Sequence, residues 1–200
     1  MKIDGRTFNV SGGASGLGLR TTQELMSYGG YVAVVDRDEK AGERVMSQIF
    51  SSSKLVRFFK ADVTDAEHLE KAVDAVLGCV VSAAGIVWER GVIVLVSSVS
   101  ALEGRIGHVA YGGSKGAVAS MTLPMARDLA QWGIRVVALA PRVFDTAMTA
   151  PMPKKTKDKL IAMLEFPRRF GRADEFARMV SRVIQNVIWT ARRERGDYDL

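Results

Sequence analysis

Short runs of hydrophobic residues alternate along the chain with stretches in which hydrophobic positions recur at helical spacing. Strands are predicted at Thr7–Val10, Tyr31–Val35, Leu55–Phe59, Cys79–Val81, Val92–Val96 and Arg135–Leu139. Helices are predicted at Leu17–Tyr28, Glu39–Phe50, Ala66–Leu77, Ala110–Trp132, 155–164 and 174–186. Continuous apolar strands separated by helices are typical of a parallel sheet that is covered on both faces. The pattern therefore predicts an α/β fold with a doubly wound, three-layer arrangement.

Length and composition describe a globular protein. The chain has 200 residues, of which 48% are hydrophobic and 25% charged, and these values exclude a disordered or fibrous chain. We expect a single domain over residues 1–186, followed by a divergent basic tail over 187–200. Cys79 is the one cysteine and His68 and His108 are the two histidines, so neither an internal disulfide nor a metal site is expected.

The sequence carries no pattern for a membrane or for export. No hydrophobic run reaches the roughly 18 residues of a transmembrane helix, so no membrane span is expected. The first residues, 1–5, lead directly into a strand without the pattern of a secretory signal or a transit peptide. The sequence therefore predicts a reducing, cytoplasmic compartment.

The net charge of +6 is concentrated near the C-terminus. Residues 151–200 contain 12 Lys and Arg against 7 Asp and Glu. The basic residues cluster at Lys154, Lys155, Lys157 and Lys159, and again at Arg192, Arg193 and Arg195. Such clusters attract phosphates, either of nucleic acid or of an anionic cofactor-linked substrate. The other interpretation is a solvated helix face, and it is favoured over a nucleic-acid contact because no aromatic residues interleave with the lysines to stack bases.

A glycine-rich turn follows the first predicted strand. Gly12, Gly16 and Gly18 have the spacing G-x-x-x-G-x-G, and a helix begins at once. Glycines here permit a tight turn, let the backbone approach a pyrophosphate and let the helix pack close to the strand. The helix start offers N–H groups and the positive end of its dipole to phosphates. This position in the chain makes the turn typical of a dinucleotide-binding site.

An acidic residue ends the second strand. Asp36 lies 18 positions after Gly18, where dinucleotide folds place a carboxylate on the ribose 2′-hydroxyl. A carboxylate there repels a 2′-phosphate, so NAD is predicted over NADP. Arg20 and Arg37 lie close in sequence, and their positive charges would reduce that repulsion. The alternative is a turn-forming aspartate before Arg37 and Asp38.

A second candidate for the nucleotide follows the third strand. The Asp62 side chain and the neighbouring Val63 N–H are placed to hold an adenine. Taken alone, Asp62 with Thr64 and Asp65 has the composition of a turn and a helix cap.

Three residues suited to proton transfer follow the strand Val92–Val96. Ser98 comes two positions after that strand, Tyr111 lies 13 positions further on, and Lys115 is four beyond Tyr111. Positions i and i+4 share a helix face, so the lysine ammonium favours the phenolate form of the tyrosine. Such a tyrosine can donate or accept a proton near neutral pH. The serine hydroxyl is placed to hold a substrate oxygen, and the set suits hydride transfer between a carbinol and NAD.

These pieces together resemble the short-chain dehydrogenase/reductase superfamily, over about residues 4–186. The run 98–107 before Tyr111 and the stretch 166–171 look like its 3-hydroxyacyl-CoA dehydrogenase type-2 branch, which is similar to 17β-hydroxysteroid dehydrogenase type 10. The resemblance implies a Rossmann-like fold and an NAD-dependent enzyme that interconverts a secondary alcohol and its ketone. It implies a 3-hydroxyacyl-CoA or a hydroxysteroid as the small-molecule substrate. A mitochondrial location is also implied by this branch.

The resemblance assigns roles residue by residue. Ser98 orients the substrate oxygen, Tyr111 is the acid/base, Lys115 binds the nicotinamide ribose, and Thr146 binds the carboxamide. The residues that it implies for cofactor binding are Ser11, Gly12, Ser15, Gly16, Leu17, Gly18, Asp36, Asp62, Val63, Ala84, Gly85, Tyr111, Lys115, Pro141 and Thr146.

The chain departs from the family in several places. Ser82 stands where the family has an asparagine, and only about eight residues, 84–91, join two strands that the family links through a long helix. That helix carries a further catalytic asparagine and much of the interface of the family's dimers and tetramers, and it cannot form in so short a segment. We therefore expect an internal deletion, an uncovered sheet face near Trp88 and no oligomer through that helix. Arg142 replaces a glycine beside the nicotinamide pocket, and the last strand is replaced by the tail.

Three hypotheses follow from the sequence. The first is an active NAD-dependent dehydrogenase. The second is a truncated NAD-binding protein of the same fold with weak or no turnover, suggested by the missing helix, Ser82 and Arg142. The third is a nucleic-acid contact through the basic residues of 154–195. His108 either faces a substrate or lies in a surface loop, and the surface loop is favoured. Met121, Met125 and Met148 either line an acyl pocket or fill the core, and core filling is favoured. Cys79 is expected to be inert.

Overall fold

A computed structural model describes residues 1–68, 70–71, 91–104 and 106–189. Among these residues, no helix is long and apolar enough to cross a membrane. The strands are β1 (Thr7–Ser11), β2 (Tyr31–Asp36), β3 (Val56–Lys60), β4 (Val92–Val96), β5 (Arg135–Leu139), β6 (Phe144–Asp145) and β7 (Gly171–Arg172). The helices are α1 (Gly16–Ser27), α2 (Glu39–Gln48), α3 (Val109–Ala130), α4 (Lys154–Ala162) and α5 (Ala173–Gln185), and a 3₁₀ turn spans Val99–Ala101.

Every predicted element within the described residues is present. The bounds of β4 and β5 agree with the prediction, and no other end differs from it by more than two residues. The two-residue strands β6 and β7 and the 3₁₀ turn were not predicted, because elements this short leave no periodic pattern. The predicted strand Cys79–Val81 and most of the predicted helix Ala66–Leu77 lie outside the described residues.

The chain divides into two compact units. The first unit comprises Met1–Val87 and Val143–Gln185, and the second comprises Trp88–Arg142 and Asn186–Leu200. The first unit therefore contains β1–β3, α1, α2 and everything from β6 to α5. The second unit contains β4, β5, α3 and the 3₁₀ turn.

The first unit is built on a parallel three-stranded sheet with β2 between β1 and β3. Val10 of β1 lies opposite Val34 of β2, and Val34 lies opposite Phe58 of β3. The four central residues of β2, Val32–Val35, are buried. Helix α1 packs against α5, whose apolar face includes the buried Phe176 and Val180. This packing forms the core of the unit.

The second unit is built on the parallel pair β4–β5, in which Val92 lies opposite Arg135. Helix α3 packs on β5 and on the 3₁₀ turn. Strand β4 is only half-buried, and Val96 at its end is 40% exposed. The uncovered sheet face expected near Trp88 stays a prediction, because Trp88 and the segment before β4 lie outside the described residues.

Two expectations about the core are wrong. Met148 is 86% exposed and Met121 is 48% exposed, so neither fills the core as predicted. Methionine gives little positional signal in a sequence, because its flexible side chain suits both interiors and surfaces. On α1, Thr21 and Leu25 are buried as predicted, whereas Tyr28 at the end of that predicted face is exposed.

Candidate active site

The glycine turn in the first unit requires glycine at each predicted position. Gly12 and Gly16 have φ angles of +68° and +51°, which strain any side chain. A methyl group on Gly18 would overlap the carbonyl oxygen of Gly12, so Gly18 lets α1 close onto the turn itself. The close packing on the strand belongs instead to Gly13, where a Cβ atom would lie 2.8 Å from the Val10 carbonyl oxygen. The three-glycine spacing missed that position.

The first turn of α1 is open to an anion. Ser15 is the N-cap residue, but its side chain makes no capping hydrogen bond, and no acidic residue lies in the first turn. By contrast, the Asp38 carboxylate caps α2 by accepting from the Ala41 N–H at 3.0 Å. The N–H groups at the start of α1 therefore have no side-chain cap of their own. A phosphate fits their geometry and the dipole of the helix.

Thr146 lies against this turn. Its side chain is the nearest neighbour of the position that a Cβ on Gly16 would occupy, at 3.6 Å. The buried Thr149 fixes the backbone around it. The Thr149 hydroxyl donates to the Phe144 carbonyl at 2.9 Å and accepts from the Thr146 N–H at 3.0 Å. Thr149 was not identified from the sequence, because its role depends on the β6 strand, which has no sequence signal.

The Asp36 carboxylate, at the end of β2, is hydrogen-bonded to the glycine turn. One oxygen accepts from the Ala14 N–H at 3.2 Å and the other from the Asp38 N–H at 3.1 Å. The Asp38 contact is the turn that the alternative interpretation predicted, and the Ala14 contact ties the acid to the glycine turn. The contact of Asp36 with a ribose stays a prediction. Each carboxylate oxygen retains capacity for a further donor, such as a ribose hydroxyl.

An open groove of about 680 Å³ lies beside Asp36 in the first unit. Its lining residues are Arg37, Asp38, Lys60, Ala61, Asp62 and His68. Asp62 accepts from the N–H and the hydroxyl of Thr64, and these bonds, with the nearby Arg37 charge, lower the pKa of Asp62. Asp62 thus forms the predicted turn at the groove wall, and Asp65 forms the predicted cap by accepting from the N–H groups of Glu67 and His68. Val63 is 50% exposed and does not line the groove.

Tyr111 and Lys115 lie together on α3 in the second unit. The Lys115 ammonium is 5.9 Å from the centre of the Tyr111 ring and donates to the Val96 carbonyl at 2.9 Å. Tyr111 is 48% exposed. The buried Ser97 hydroxyl donates to the Lys115 carbonyl at 2.8 Å, so the end of β4 holds the helix at this point. Ser97 is a second positioning residue that the sequence did not reveal.

Ser98 is buried where β4 leads into the 3₁₀ turn. Its hydroxyl accepts from the Ser100 N–H at 3.2 Å, which leaves its own proton free to be donated. The next residue, Val99, donates its N–H to the Pro141 carbonyl at 3.2 Å. A Cβ on Gly112 would lie 2.9 Å from the Ser100 carbonyl oxygen, so the start of α3 lies directly on the turn that follows Ser98. The helix therefore packs closely at the glycine beside Tyr111.

Other residues near these groups have different surroundings. His108 precedes α3 and is exposed as expected, with its ring edge-on to Tyr111 at 5.9 Å. Arg142 forms an ion pair with Glu103 at 2.8 Å. Ser82, Ala84 and Gly85 lie outside the described residues. Within the described ranges, no group of three or more His, Cys, Asp or Glu could hold a metal ion.

Known proteins match this chain along most of its length. The profile of the family described as short chain dehydrogenase matches residues 6–89 and 86–157. The chain belongs to the short-chain dehydrogenase family. The family assignment made from the sequence is thereby confirmed, together with its class of enzyme, an oxidoreductase that uses a nicotinamide dinucleotide.

The relatives support the branch and the fold. The 3-hydroxyacyl-CoA dehydrogenase type-2 of Bos taurus is 30% identical over 239 residues, covering 92% of this chain and 90% of the relative. That of Drosophila melanogaster is 31% identical over 234 residues, covering 90% and 91%. A crystal structure of 3-hydroxyacyl-CoA dehydrogenase type-2 from Mycobacterium avium superposes with a TM-score of 0.83 at 24% identity, covering 93% and 92%. This confirms the Rossmann-like fold.

The same comparisons bear on the deletion. Both alignments are longer than the 200 residues of this short-chain dehydrogenase, so the relatives have residues without a counterpart here. The two family matches meet at residues 86–89, inside the segment where the sequence predicts the loss. A 3-ketoacyl-(acyl-carrier-protein) reductase from Brucella melitensis, complexed with NADH, superposes with a TM-score of 0.80 at 24% identity, covering 94% and 95%.

Proposed function

We propose that this short-chain dehydrogenase prefers NAD over NADP and interconverts a 3-hydroxyacyl thioester and its 3-keto form. The observation that carries the proposal is the position of Lys115, which is held by the Val96 carbonyl and lies beside the Tyr111 ring. A phenol and an ammonium on one face of a helix are the pair of groups that proton transfer to and from a substrate hydroxyl requires. The substrate class follows the relatives named 3-hydroxyacyl-CoA dehydrogenase type-2. A hydroxysteroid is the second substrate class to be tested.

The residues of the first unit fit an NAD molecule. The glycine turn and the uncapped start of α1 would hold the pyrophosphate through N–H groups, including those of Ser15, Gly16 and Leu17. Asp36 would accept from the adenosine ribose, and its charge disfavours a 2′-phosphate. The groove beside it would take the adenine. Thr146 would bind the carboxamide.

The residues of the second unit supply proton transfer. When bound, NAD supplies the acceptor for the hydride that leaves the carbinol carbon. The Ser98 hydroxyl donates to the substrate oxygen and orients it. Tyr111, as phenolate, accepts the hydroxyl proton, and in the reverse direction the phenol returns it. Lys115 retains two further N–H donors beyond the one at Val96, and these suit the nicotinamide ribose.

The alternative is a nucleotide-binding protein that turns over slowly or not at all. The half-buried strand β4 favours it, because Ser98 and the Val96 carbonyl both depend on that strand. The two functions share the first unit and differ only in what the second unit does. Nucleotide binding and turnover therefore have to be measured separately.

The test is a fluorescence titration of the purified protein with NADH and with NADPH. We expect saturable binding that favours NADH. Asp36→Asn keeps the shape and removes the charge, so it should narrow the preference for NADH by roughly tenfold. Gly18→Ala should abolish binding of both nucleotides. Gly116→Ala is the matched control, because no atom lies within 4 Å of the added methyl group.

Each part of the proposal can fail separately. Equal affinity for the two nucleotides, unchanged by Asp36→Asn, would contradict the role of Asp36. Turnover is then followed by formation of NADH from a 3-hydroxyacyl-CoA or a hydroxysteroid. NADH binding without turnover of either substrate would favour the alternative.

A further inference from the structure

We propose that the lysines of α4 bind the phosphate groups of a coenzyme A thioester. This inference rests on the proposed function, since it assigns a binding surface to that substrate. The nine-residue helix contains Lys154, Lys155, Lys157 and Lys159 against one acid, Asp158. Lys155 and Lys159 are separated by four positions and so share one face of the helix. Asp158 is four positions from Lys154 and three from Lys155, so a single acid lies among the four lysines.

These lysines lack acidic partners. In the described part of the chain, none of the four ammonium groups lies within ion-pair distance of a carboxylate. Lys60 and Lys71 are paired with Glu39 and Glu67, whereas the exposed Lys2 and Lys54 are isolated in the sequence and form no cluster. Lys157 donates to the Ala150 carbonyl at 3.1 Å and so ties the helix to the preceding segment. Lys154, Lys155 and Lys159 remain exposed and available to an anion.

The helix lies close in the chain to a proposed cofactor contact, within one compact unit. Thr146 lies against Gly16 of the glycine turn. A tight turn follows, in which the Thr149 and Ala150 N–H groups both donate to the Thr146 carbonyl, and α4 begins at Lys154. The lysines are therefore joined to the nicotinamide-binding residue by a short, hydrogen-bonded segment. Coenzyme A carries its phosphates on a long flexible arm, away from the reacting thioester end.

Exposed apolar side chains flank the same helix. Met148 precedes α4 and is 86% exposed, and Phe166 follows it and is 93% exposed. Large apolar side chains beside unpaired cations fit a ligand with an apolar portion and an anionic end. An acyl-CoA has both. A nucleic acid fits less well, because α4 contains no aromatic residue to stack on bases.

The first experiment measures binding of coenzyme A by calorimetry, with and without saturating NADH. Lys155→Glu/Lys159→Glu is compared with Lys2→Glu/Lys54→Glu, which changes the net charge equally at exposed lysines elsewhere. We expect the α4 variant to weaken coenzyme A binding roughly fivefold or more, and the control to have little effect. Added salt should weaken binding by the wild-type protein more than by the α4 variant. Equal affinity in the two variants, or complete displacement of coenzyme A by NADH, would overturn the proposal.

The second experiment separates the phosphates from the reaction. The KM of a 3-hydroxybutyryl-CoA is compared with that of the N-acetylcysteamine thioester of the same acid, which lacks the phosphates. In the α4 variant, the KM for the coenzyme A thioester should rise while that for the short thioester stays constant. A parallel rise in both would overturn the phosphate site. If the wild-type protein oxidises neither thioester, the proposed function fails, and the calorimetry still decides on the lysines.

A third arm distinguishes the source of the phosphate. Sedimentation with phosphatidylglycerol vesicles tests whether the same lysines bind a lipid surface. Loss of vesicle binding in the α4 variant with unchanged affinity for coenzyme A would assign the lysines to lipid headgroups and overturn the proposal. Coenzyme A binding that depends on the lysines, without vesicle binding, supports it.

Discussion

The two compact units contain parallel strands of similar composition, yet they bury them to different extents. In the first unit, the central residues of β2 are all buried, and Val34 has no exposed surface. In the second unit, residues 92–95 of β4 are partly exposed although they are as apolar as those of β2. The two strands differ in exposure and not in composition, and β4 begins shortly after residues 86–89, where the two matches to the family meet. Apolar composition alone therefore did not determine burial.

Hydrogen bonds between separate elements of the second unit hold the residues around Tyr111. Lys115 donates to the Val96 carbonyl and accepts through its backbone from Ser97. Val99 is bonded to Pro141, the residue two positions after β5. These bonds connect the ends of β4 and β5 with α3 and require no covering helix. These bonds thus hold the residues proposed for proton transfer, although β4 itself is only half-buried.

The largest effect is expected on kcat, in variants that separate turnover from nucleotide binding. Tyr111→Phe should lower kcat by about 10²–10⁴-fold, because it removes the proposed proton acceptor, and should lower NADH affinity far less, because the glycine turn and Asp36 are unchanged. Gly18→Ala should abolish both NADH binding and turnover. Stopped-flow formation of NADH and the fluorescence titration measure the two properties. Activity in Tyr111→Phe equal to that of the wild-type protein would remove the second unit from the mechanism.

A smaller effect is expected from matched core substitutions. Val34→Ala in β2 should lower the free energy of unfolding by about 2–3 kcal/mol, since it leaves a cavity in a closed core. Val94→Ala in β4 should cost about half as much or less, because Val94 is already partly exposed. Urea unfolding of the two variants measures both values. Equal losses would mean that β4 is as well covered in solution as β2.

The sequence predicted the elements and the chemistry more fully than it predicted their supports. The glycine turn, Asp36, Tyr111 and Lys115 lie where the spacing placed them, because each signal depends on neighbours within a few residues. Gly13, Ser97 and Thr149 were missed. Their roles arise from contacts with other strands and turns, which no local pattern records.

The burial errors have the same origin. Met148 was assigned to the core by its residue type, although the short strand and turn around it leave its side chain exposed. The sequence around Asp62 is compatible with a turn and with a contact to an adenine. The structure shows the turn. Asp62 also lines the groove, and the nucleotide titration tests whether it contacts an adenine there.

The smallest effect is expected from the two acidic residues in the first turn of α5, in the first unit. Arg172 and Arg178 bind Asp174, and Arg169 binds Glu175, at the first turn of α5. The hydrogen bond from Arg172 lowers the pKa of Asp174 to about 2, and that from Arg169 lowers the pKa of Glu175 to about 2. The first turn of α3 in the second unit has no acidic residue.

Because these pKa values are lowered by folding, the cluster stabilises the native state above the ordinary pKa values of 3.8 and 4.5. That stabilisation should disappear as the pH falls from about 4.5 to about 2. The difference in unfolding midpoint between the wild-type protein and Asp174→Asn/Glu175→Gln should therefore shrink over this range. Glu165→Gln, at an exposed position without an ion pair among the described residues, should show no such trend. A difference that stays constant as the pH falls would mean that the arginines do not stabilise the first unit through these carboxylates.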